Sequence, residues 1–477
     1  MEYEVVIGLE VHVELHTDSK LFCSCPNRFI PEPNINTCPV CLGFPGAMPQ
    51  MNEEAVEQAL KASLALNCEV ALLSYFDRKN YFYPDMPKGY QISQYFTPIG
   101  SKGFLSIEDD QGDEKKVRIG RVHMEEDAGK LVHSISGEGS MVDYNRAGVP
   151  LVEIVTEPDL RSPGESRRYL EQLKSILQYA GVSDCKMEEG SLRCDANISL
   201  RPVGTETFGS KTELKNMNSF KAVEKSLEYE IARQRKILNS GEEVISQTLR
   251  WEEDKQETIV MRGKLEAHDY RCFTDPELAP IKLSAEKVEQ ARAALPEMAG
   301  EKASRYESEY GLSPYDAGVL TASRPLSEYF EACLVIYDNP KMVSNWVMGE
   351  LAACLNEEGQ DIGSCSFGPE KLTELLKMID EQLISGKIAK EVLVKSFQSG
   401  KTPRQVVEEE GLLQISDHGE LEAVVDKVIA ENPDSVEKYR AGNIKVIGFL
   451  VGQVMKETKG KANPQLVNEL LVKKIDS

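Results

Sequence analysis
From Glu4 to Leu15 the chain reads EVVIGLEVHVEL, with apolar residues at every odd position: Val5, Ile7, Leu9, Val11, Val13 and Leu15. Side chains alternate faces along a strand, so this period of two predicts a β-strand with one face built for a core. The other face ends in Glu10, His12 and Glu14. Three metal or proton ligands in a row opposite an apolar face look like the floor of a site. A solvated sheet face is the plainer alternative.

The same logic recurs downstream. Arg193, Asp195, Asn197, Ser199 and Arg201 alternate with Cys194, Ala196, Ile198 and Leu200, and Lys211, Glu213 and Lys215 continue the theme. The run RIGRVHMEED (118–127) places Arg121, His123, Glu125 and Asp127 together, although Glu126 breaks the pattern. An acidic cluster beside a His suits a hard metal; a charged turn is the alternative. The apolar run VPLVEIV (149–155) carries Glu153, a carboxylate that needs a partner or a function there.

A period of 3.6 takes over elsewhere. Asn52 caps a predicted helix with Glu53 and Glu54 in its first turn and a stripe of Val56, Ala59, Leu60, Ser63 and Leu64. Ser162-Pro-Gly-Glu165 predicts a capping box; its helix buries Leu170, Leu173, Ile176 and Leu177 and stops at Gly181. A third helix runs from about Asn218 to Gly241, and residues 242–283 return to short strands and loops. Past Ser284 almost everything reads as helix, with a second capping box at Asp434-Ser-Val-Glu437. The predicted fold is therefore α+β. A largely antiparallel N-terminal sheet domain with packed helices and a cysteine loop (1–290) precedes a helical domain (291–402) and a small helical tail (403–477).

Charge narrows the function. Against 55 Lys and Arg stand 78 Asp and Glu, a net of −23, which argues against a protein that coats nucleic acid non-specifically. Residues 433–477 reverse the sign locally, with 8 basic against 5 acidic side chains, as an RNA contact or merely a solvated helix face. The chain opens MEYEV without a signal pattern and has no apolar run long enough to span a bilayer, so a cytoplasmic protein is expected.

Seven of the eleven cysteines are scattered singly, as buried thiols in a reducing compartment would be. The other four form two short-spaced pairs, Cys23-Ser-Cys25 and Cys38-Pro-Val-Cys41, joined by the Pro- and Asn-rich PNRFIPEPNINT. Two such pairs on one loop can converge into a thiolate cage for Zn²⁺, replacing the core the loop lacks; free thiols are the alternative. Residues 77–94 interleave Arg78, Lys79 and Lys88 with Tyr81, Phe82, Tyr83 and Tyr90. Cations beside aromatic faces can hold a nucleotide or an RNA end, and an aromatic-stapled loop is the plainer reading. The stretch GTETFGSKT (204–212) imitates a phosphate loop, but Ser210 spoils its spacing and a strand pattern follows where a helix is required.

With these residues assembled, the chain resembles the B-subunit family of the bacterial tRNA-dependent Asn/Gln-forming amidotransferases. The blocks that carry the likeness include VIGLEVHVEL (6–15), DRKNYFYPDMPKGYQISQ (77–94), HMEEDAGK (123–130) and VEIVTEPDLRSP (152–163). KMEEGSLRCDANISLRP (186–202), ELKNMNSF (213–220) and GFLVGQVMKETKGKANPQLVNELL (448–471) complete them, in the family's order along nearly the whole chain. The resemblance implies an ATP-dependent ligase that phosphorylates the side-chain carboxylate of misacylated Glu-tRNA(Gln) or Asp-tRNA(Asn). Ammonia from an amidase (A) subunit, held with a small C subunit in a heterotrimer, then displaces the phosphate. It implies Glu10, His12 and Glu125 as Mg²⁺ ligands and catalytic residues, with Lys79, Lys88, Asp195, Asn197 and Glu213 around ATP or the tRNA end. Cys23, Cys25, Cys38 and Cys41 would hold structural Zn²⁺, and the helical and tail regions would grip tRNA. A metal-dependent phosphoester hydrolase using the same floor, or a non-catalytic tRNA-binding adaptor, are the rival readings.

Overall fold
The structure is a computed structural model that describes residues 2–133, 139–262, 270–413, 418–458, 462 and 464–476. The chain divides into two compact units, Met1–Met298 and Ala299–Ser477. The α+β architecture expected from the periodicities is what the first unit adopts. Its opening strand, Tyr3–Glu14, lies inside a 12-stranded sheet, paired with Pro150–Thr156 on one side and Leu192–Pro202 on the other. Glu114–Glu126 flanks Pro150–Thr156, while Thr212–Lys215 flanks Leu192–Pro202. Among the described residues all pairings of this sheet are antiparallel except that of Thr212–Lys215 with Gln247–Glu252.

The alternation works as read. Val5, Ile7, Leu9, Val11, Val13 and Leu15 are all buried, in one core with Ala59 and Leu60, Leu170 and Leu173, and Val223 and Leu227. Those pairs come from helices Glu53–Ala65, Pro163–Tyr179 and Phe220–Asn239, so three helices cover the apolar face of the sheet. Each fully buried aliphatic side chain contributes about 2 kcal/mol, which fixes the register and commits Glu10, His12 and Glu14 to the opposite face. Close packing has a backbone requirement at Gly103, where an added Cβ would meet Cys68 Sγ at 2.4 Å and the Leu66 carbonyl oxygen at 2.6 Å.

Two capping expectations need correction. The Asn52 side chain does accept from the backbone N–H groups of Glu54 and Ala55, and that of Ser162 from Glu165. The reciprocal half of the Ser162 box does not form, because Glu165 accepts instead from the Arg161 backbone N–H and from Lys115, each at 2.7 Å. The helix expected to start at Asp434 is Pro433–Arg440, with Asn432 at its cap position and no side-chain capping bond. Pro433 supplies the first helical position with a pre-set φ, which moves the cap from Asp434 to Asn432, two residues earlier. The imitation phosphate loop leads into the strand Thr212–Lys215, as the alternation required.

The second unit is helical from Ala299–Tyr310 to Pro464–Asp476. One apolar cluster gathers Tyr306, Phe330, Leu351, Phe367 and Val392, and includes Val406 and Val407 of the helix Pro403–Glu409. A separate cluster gathers Leu421, Val425, Leu450, Val454 and Leu471. Lys459 and Lys461, part of the basic tail read from sequence, lie outside the described residues. Among the described residues no helix is long and apolar enough to cross a membrane.

Candidate functional site
Sheet register builds the site. Across three adjacent strands, His123 stands opposite Glu153, and Glu153 stands opposite His12. Directly paired residues project to the same face, so these three side chains form a row on the face the helices leave uncovered. On the next strand Arg193 continues that row, while Glu10 pairs with Asp195 in the row beside it. Glu125 comes from the same strand as His123, two residues on.

The contacts follow from that register. His12 Nε2 lies 3.8 Å from Glu10, 3.4 Å from Glu125 and 3.4 Å from Glu153. His123 Nε2 lies 3.2 Å from Glu153 and 3.7 Å from Glu125. The expected trio of Glu10, His12 and Glu125 thus meets at His12. The sets whose donor atoms all fall within 4.8 Å of one another are Glu10, His12, Glu153 and His123, Glu125, Glu153. Glu153 and His123 were visible in the sequence as a strand carboxylate and its neighbour's imidazole. Joining them to His12 required the strand register, which alternation alone does not reveal.

Burial and proximity set the electrostatics. Burial opposes charge on His12, but hydrogen bonds to Glu125 and Glu153 outweigh it and hold the imidazole well above its ordinary pKa. His123 moves the same way, against burial, through the charge of Glu153 and hydrogen bonding to Glu125. In return Glu125 falls to about 2 despite its burial, and Glu153 falls well below the usual carboxylate range. Glu10 is raised, by burial and by the charge of Glu153, and Glu14 is pushed up to about 7 by burial and the nearby Asp127. The floor therefore holds closely spaced carboxylates balanced by imidazoles. Carboxylate oxygens suit a divalent cation of the Mg²⁺ or Mn²⁺ kind, so the carboxylates of this floor fit a hard metal.

The other expected residues distribute around this floor. Lys215 forms ion pairs with Asp195 and, at 3.1 Å, with Glu213, which also accepts from Thr248 at 2.8 Å. Burial opposes the Lys215 charge, but Asp195 and Glu213 hold its pKa above the ordinary lysine value. Asn197 pairs in register with Gly8 and with Glu213, beside that cluster. Asp127 pairs with Arg193 at 2.9 Å and Arg146 at 3.3 Å, which brings it to the rim of the same face. Lys79 lies over the Tyr270 ring, 4.8 Å from its centroid. Lys88 is ion-paired with Glu126, the residue that broke the alternation, and lines a cleft with Gly43, Phe44, Arg78 and Tyr90. Gly43, at φ +67°, lies so close that an added Cβ would meet Lys88 Cγ at 2.3 Å.

That contact ties the aromatic stretch to the cysteine loop. One sulfur from each of Cys23, Cys25, Cys38 and Cys41 falls within a 4.8 Å cluster, and none is in a disulfide. Cys38 and Cys41 have their sulfurs 3.8 Å apart. Tetrahedral coordination with Zn–S bonds of about 2.3 Å puts sulfurs about 3.8 Å apart, so the four thiols fit zinc. The hydrogen bond from Cys23 pulls the Cys41 thiol down to about 5, against its burial, while Cys25 rises to about 11 chiefly through burial. Lys20, which drew no attention in the sequence, is 1% exposed. Its ammonium donates to the Asn36 carbonyl at 2.9 Å and reaches Cys41 Sγ at 3.9 Å.

Comparison with known proteins gives the class. Residues 5–289 match the family model of the GatB/GatE catalytic domain, and residues 328–475 match that of the GatB domain. A protein of Carboxydothermus hydrogenoformans is 57% identical over 477 residues, covering 99% of each chain. One from Moorella thermoacetica is 56% identical over 478 residues, covering all of both, and one from Persephonella marina is 54% identical over 472, covering 99% of each. All three carry the name of the B subunit of an aspartyl/glutamyl-tRNA(Asn/Gln) amidotransferase. The chain belongs to this family of amidotransferase B subunits.

Proposed function
We propose that the chain is the activating subunit of a tRNA-dependent amidotransferase. It uses ATP to phosphorylate the side-chain carboxylate of Glu-tRNA(Gln), Asp-tRNA(Asn) or both, and ammonia then displaces the phosphate to give the amide. The observation that carries this reading is the convergence of Glu10, His12, His123, Glu125 and Glu153 on the sheet face opposite the helices, within the residues that match the catalytic-domain family model. Phosphoryl transfer needs positioning and electrostatic stabilisation, and a rigid sheet floor supplies both. Glu10, His12, Glu125 and Glu153 would hold Mg²⁺, which when bound neutralises developing phosphate charge.

The chain's own groups divide the remaining work. Lys215, locked by Asp195 and Glu213, offers a fixed cation at the edge of the floor, with Asn197 beside it. Lys79 and Lys88, each close to an aromatic ring, would meet nucleotide phosphates or the tRNA terminus, Lys88 by exchanging its ion pair with Glu126. Zinc at the four cysteines would tie the loop that packs on Lys88, without taking part in chemistry, since four thiolates leave no open position. Residues 1–290 would form the catalytic domain, and 291–402 and 403–477 the helical parts that hold tRNA. Ammonia would come from an amidase A subunit joined with a small C subunit in a cytoplasmic heterotrimer.

Reconstitution with an amidase partner, ATP, glutamine and each misacylated tRNA tests this. Formation of Gln-tRNA(Gln) or Asn-tRNA(Asn) supports the proposal. ATP hydrolysis without amidation would favour the phosphohydrolase reading.

A further inference from the structure
The strand that carries Lys215 has little apolar material to fix its register. Tyr3–Glu14 buries Val5, Ile7, Leu9, Val11 and Val13 in the core, but Thr212–Lys215 buries one aliphatic side chain, Leu214. Its antiparallel pairing with Leu192–Pro202 covers three residue pairs: Ala196 with Leu214, Asn197 with Glu213 and Ile198 with Thr212. The chain enters it from residues 203–208, all exposed. Thr212 and Leu214 face the helices while Glu213 and Lys215 face the floor, where Lys215 pairs with Asp195 and, at 3.1 Å, with Glu213. A slip of one residue would turn Lys215 away from the floor.

A buried polar network meets the first residue of that strand from the helix side. Thr212 Oγ1 donates to Glu230 Oε1 at 2.8 Å, and Gln234 donates to the same oxygen and to Thr212 Oγ1, each at 2.9 Å. Gln234 also reaches the carbonyl of Ile198, the cross-strand partner of Thr212, at 3.5 Å. Thr212, Glu230 and Gln234 are all 0% exposed. Arg233 closes on the carboxylate as a fork, Nε to Oε2 at 2.8 Å and Nη2 to Oε1 at 2.7 Å, and compensates its charge. Glu230 and Gln234 belong to the helix Phe220–Asn239, whose Val223, Leu227 and Ile231 pack in the core. Apolar residues of similar volume commonly stabilise such a position at least as well. What directional hydrogen bonds add is a single register.

We propose that Glu230 is a positioning residue for the phosphorylation: acting through Thr212, it holds Thr212–Lys215 in register and keeps Lys215 at the floor. The inference rests on the function proposed above. It adds to that site a fully buried residue on the opposite side of the sheet, which acts only through the strand between them.

Three variants test it. Thr212→Val removes the hydroxyl and keeps the shape, Thr212→Ser keeps the hydroxyl, and Glu230→Gln turns one acceptor into a donor. The readouts are amide hydrogen exchange at residues 212–215 in the full chain, and tRNA-dependent ADP formation by the reconstituted complex. Losing a hydrogen bond to a charged group should speed that exchange by about 10-fold or more in Thr212→Val and Glu230→Gln, with exchange in Tyr3–Glu14 unchanged. In the complex, kcat should fall by a similar factor while KM for the misacylated tRNA holds, and Thr212→Ser should restore both readouts. On a Lys215→Met background, whose residual activity is read in single turnover, neither substitution should cost anything further. Where Glu230→Gln does not fold, as judged by circular dichroism, Thr212→Val carries the test. Wild-type exchange at 212–215, equal acceleration in Tyr3–Glu14, or an undiminished loss on the Lys215→Met background would overturn the positioning role. Faster exchange at 212–215 alone, without tRNA-dependent ATP use by the wild type, would leave the strand lock standing and remove the proposed function. Wild-type exchange with that activity intact would do the reverse.

Discussion
His12 reaches Glu125 at 3.4 Å across an intervening strand, Pro150–Thr156, which separates the strands that carry them. The contact exists only because His12, Glu153 and His123 stand in register. Glu125→Gln keeps the shape but removes the charge that both imidazoles and a cation would share. It should cut phosphoryl transfer by about a hundredfold or more while leaving tRNA affinity within about twofold, since losing even an outer-shell partner of a metal ligand typically costs about 10- to 100-fold. Filter binding and ADP release, measured on one preparation, separate the two effects. Unchanged transfer would remove Glu125 from the site.

Lys20 makes a second prediction, away from the floor. Its buried ammonium lies 3.9 Å from Cys41 Sγ, where it would offset the excess negative charge of a four-thiolate zinc site. Lys20→Met should speed zinc release to a chelator by about tenfold without abolishing the fold. Release at the wild-type rate would mean that the Asn36 hydrogen bond alone explains why Lys20 is buried.

In the second unit, Glu331 accepts from Lys302 at 2.9 Å and pairs with Arg305. Burial would raise its pKa, but these two cations bring it below the reference value of 4.5. A lowered folded pKa stabilises above the unfolded value, and that contribution disappears as pH falls through the folded one. Glu331→Gln should therefore cost up to about 1 kcal/mol at pH 7, and the gap in Tm should narrow toward zero on acidification below 4.5. A gap independent of pH would show that the ionic form contributes nothing.

Gly103→Ala tests how tightly the first helix region packs on the sheet. With backbone oxygen 2.6 Å from the new Cβ, the neighbours cannot simply rotate away. The expected loss is about 1–3 kcal/mol by chemical denaturation.

The apolar alternation of Tyr3–Glu14 was legible because its period carries both the element and its buried face. Leu192–Pro202 was legible for the same reason. The site was legible only in pieces. Glu10, His12 and Glu125 could be named as residues, but their division into two sets around Glu153 is a property of antiparallel register between distant strands. Glu126 shows the limit of pattern reading: it broke the alternation because its carboxylate is buried against Lys88 and the Ile92 backbone. Lys20 gave no sequence signal, since a loop lysine is ordinarily exposed. The capping boxes misled because Pro433 moves one cap two residues toward the N-terminus and Glu165 accepts from the Arg161 N–H instead of that of Ser162.

In the proposed function this sheet face phosphorylates an aminoacyl-tRNA side chain. ADP release by the reconstituted complex, with glutamine and ammonia omitted, tests it most directly. The phosphorylating role predicts ADP formation that requires Glu-tRNA(Gln) or Asp-tRNA(Asn), is absent with the uncharged tRNA, and is lost in Glu125→Gln. ADP formed equally without misacylated tRNA, or none formed under any condition, would contradict it.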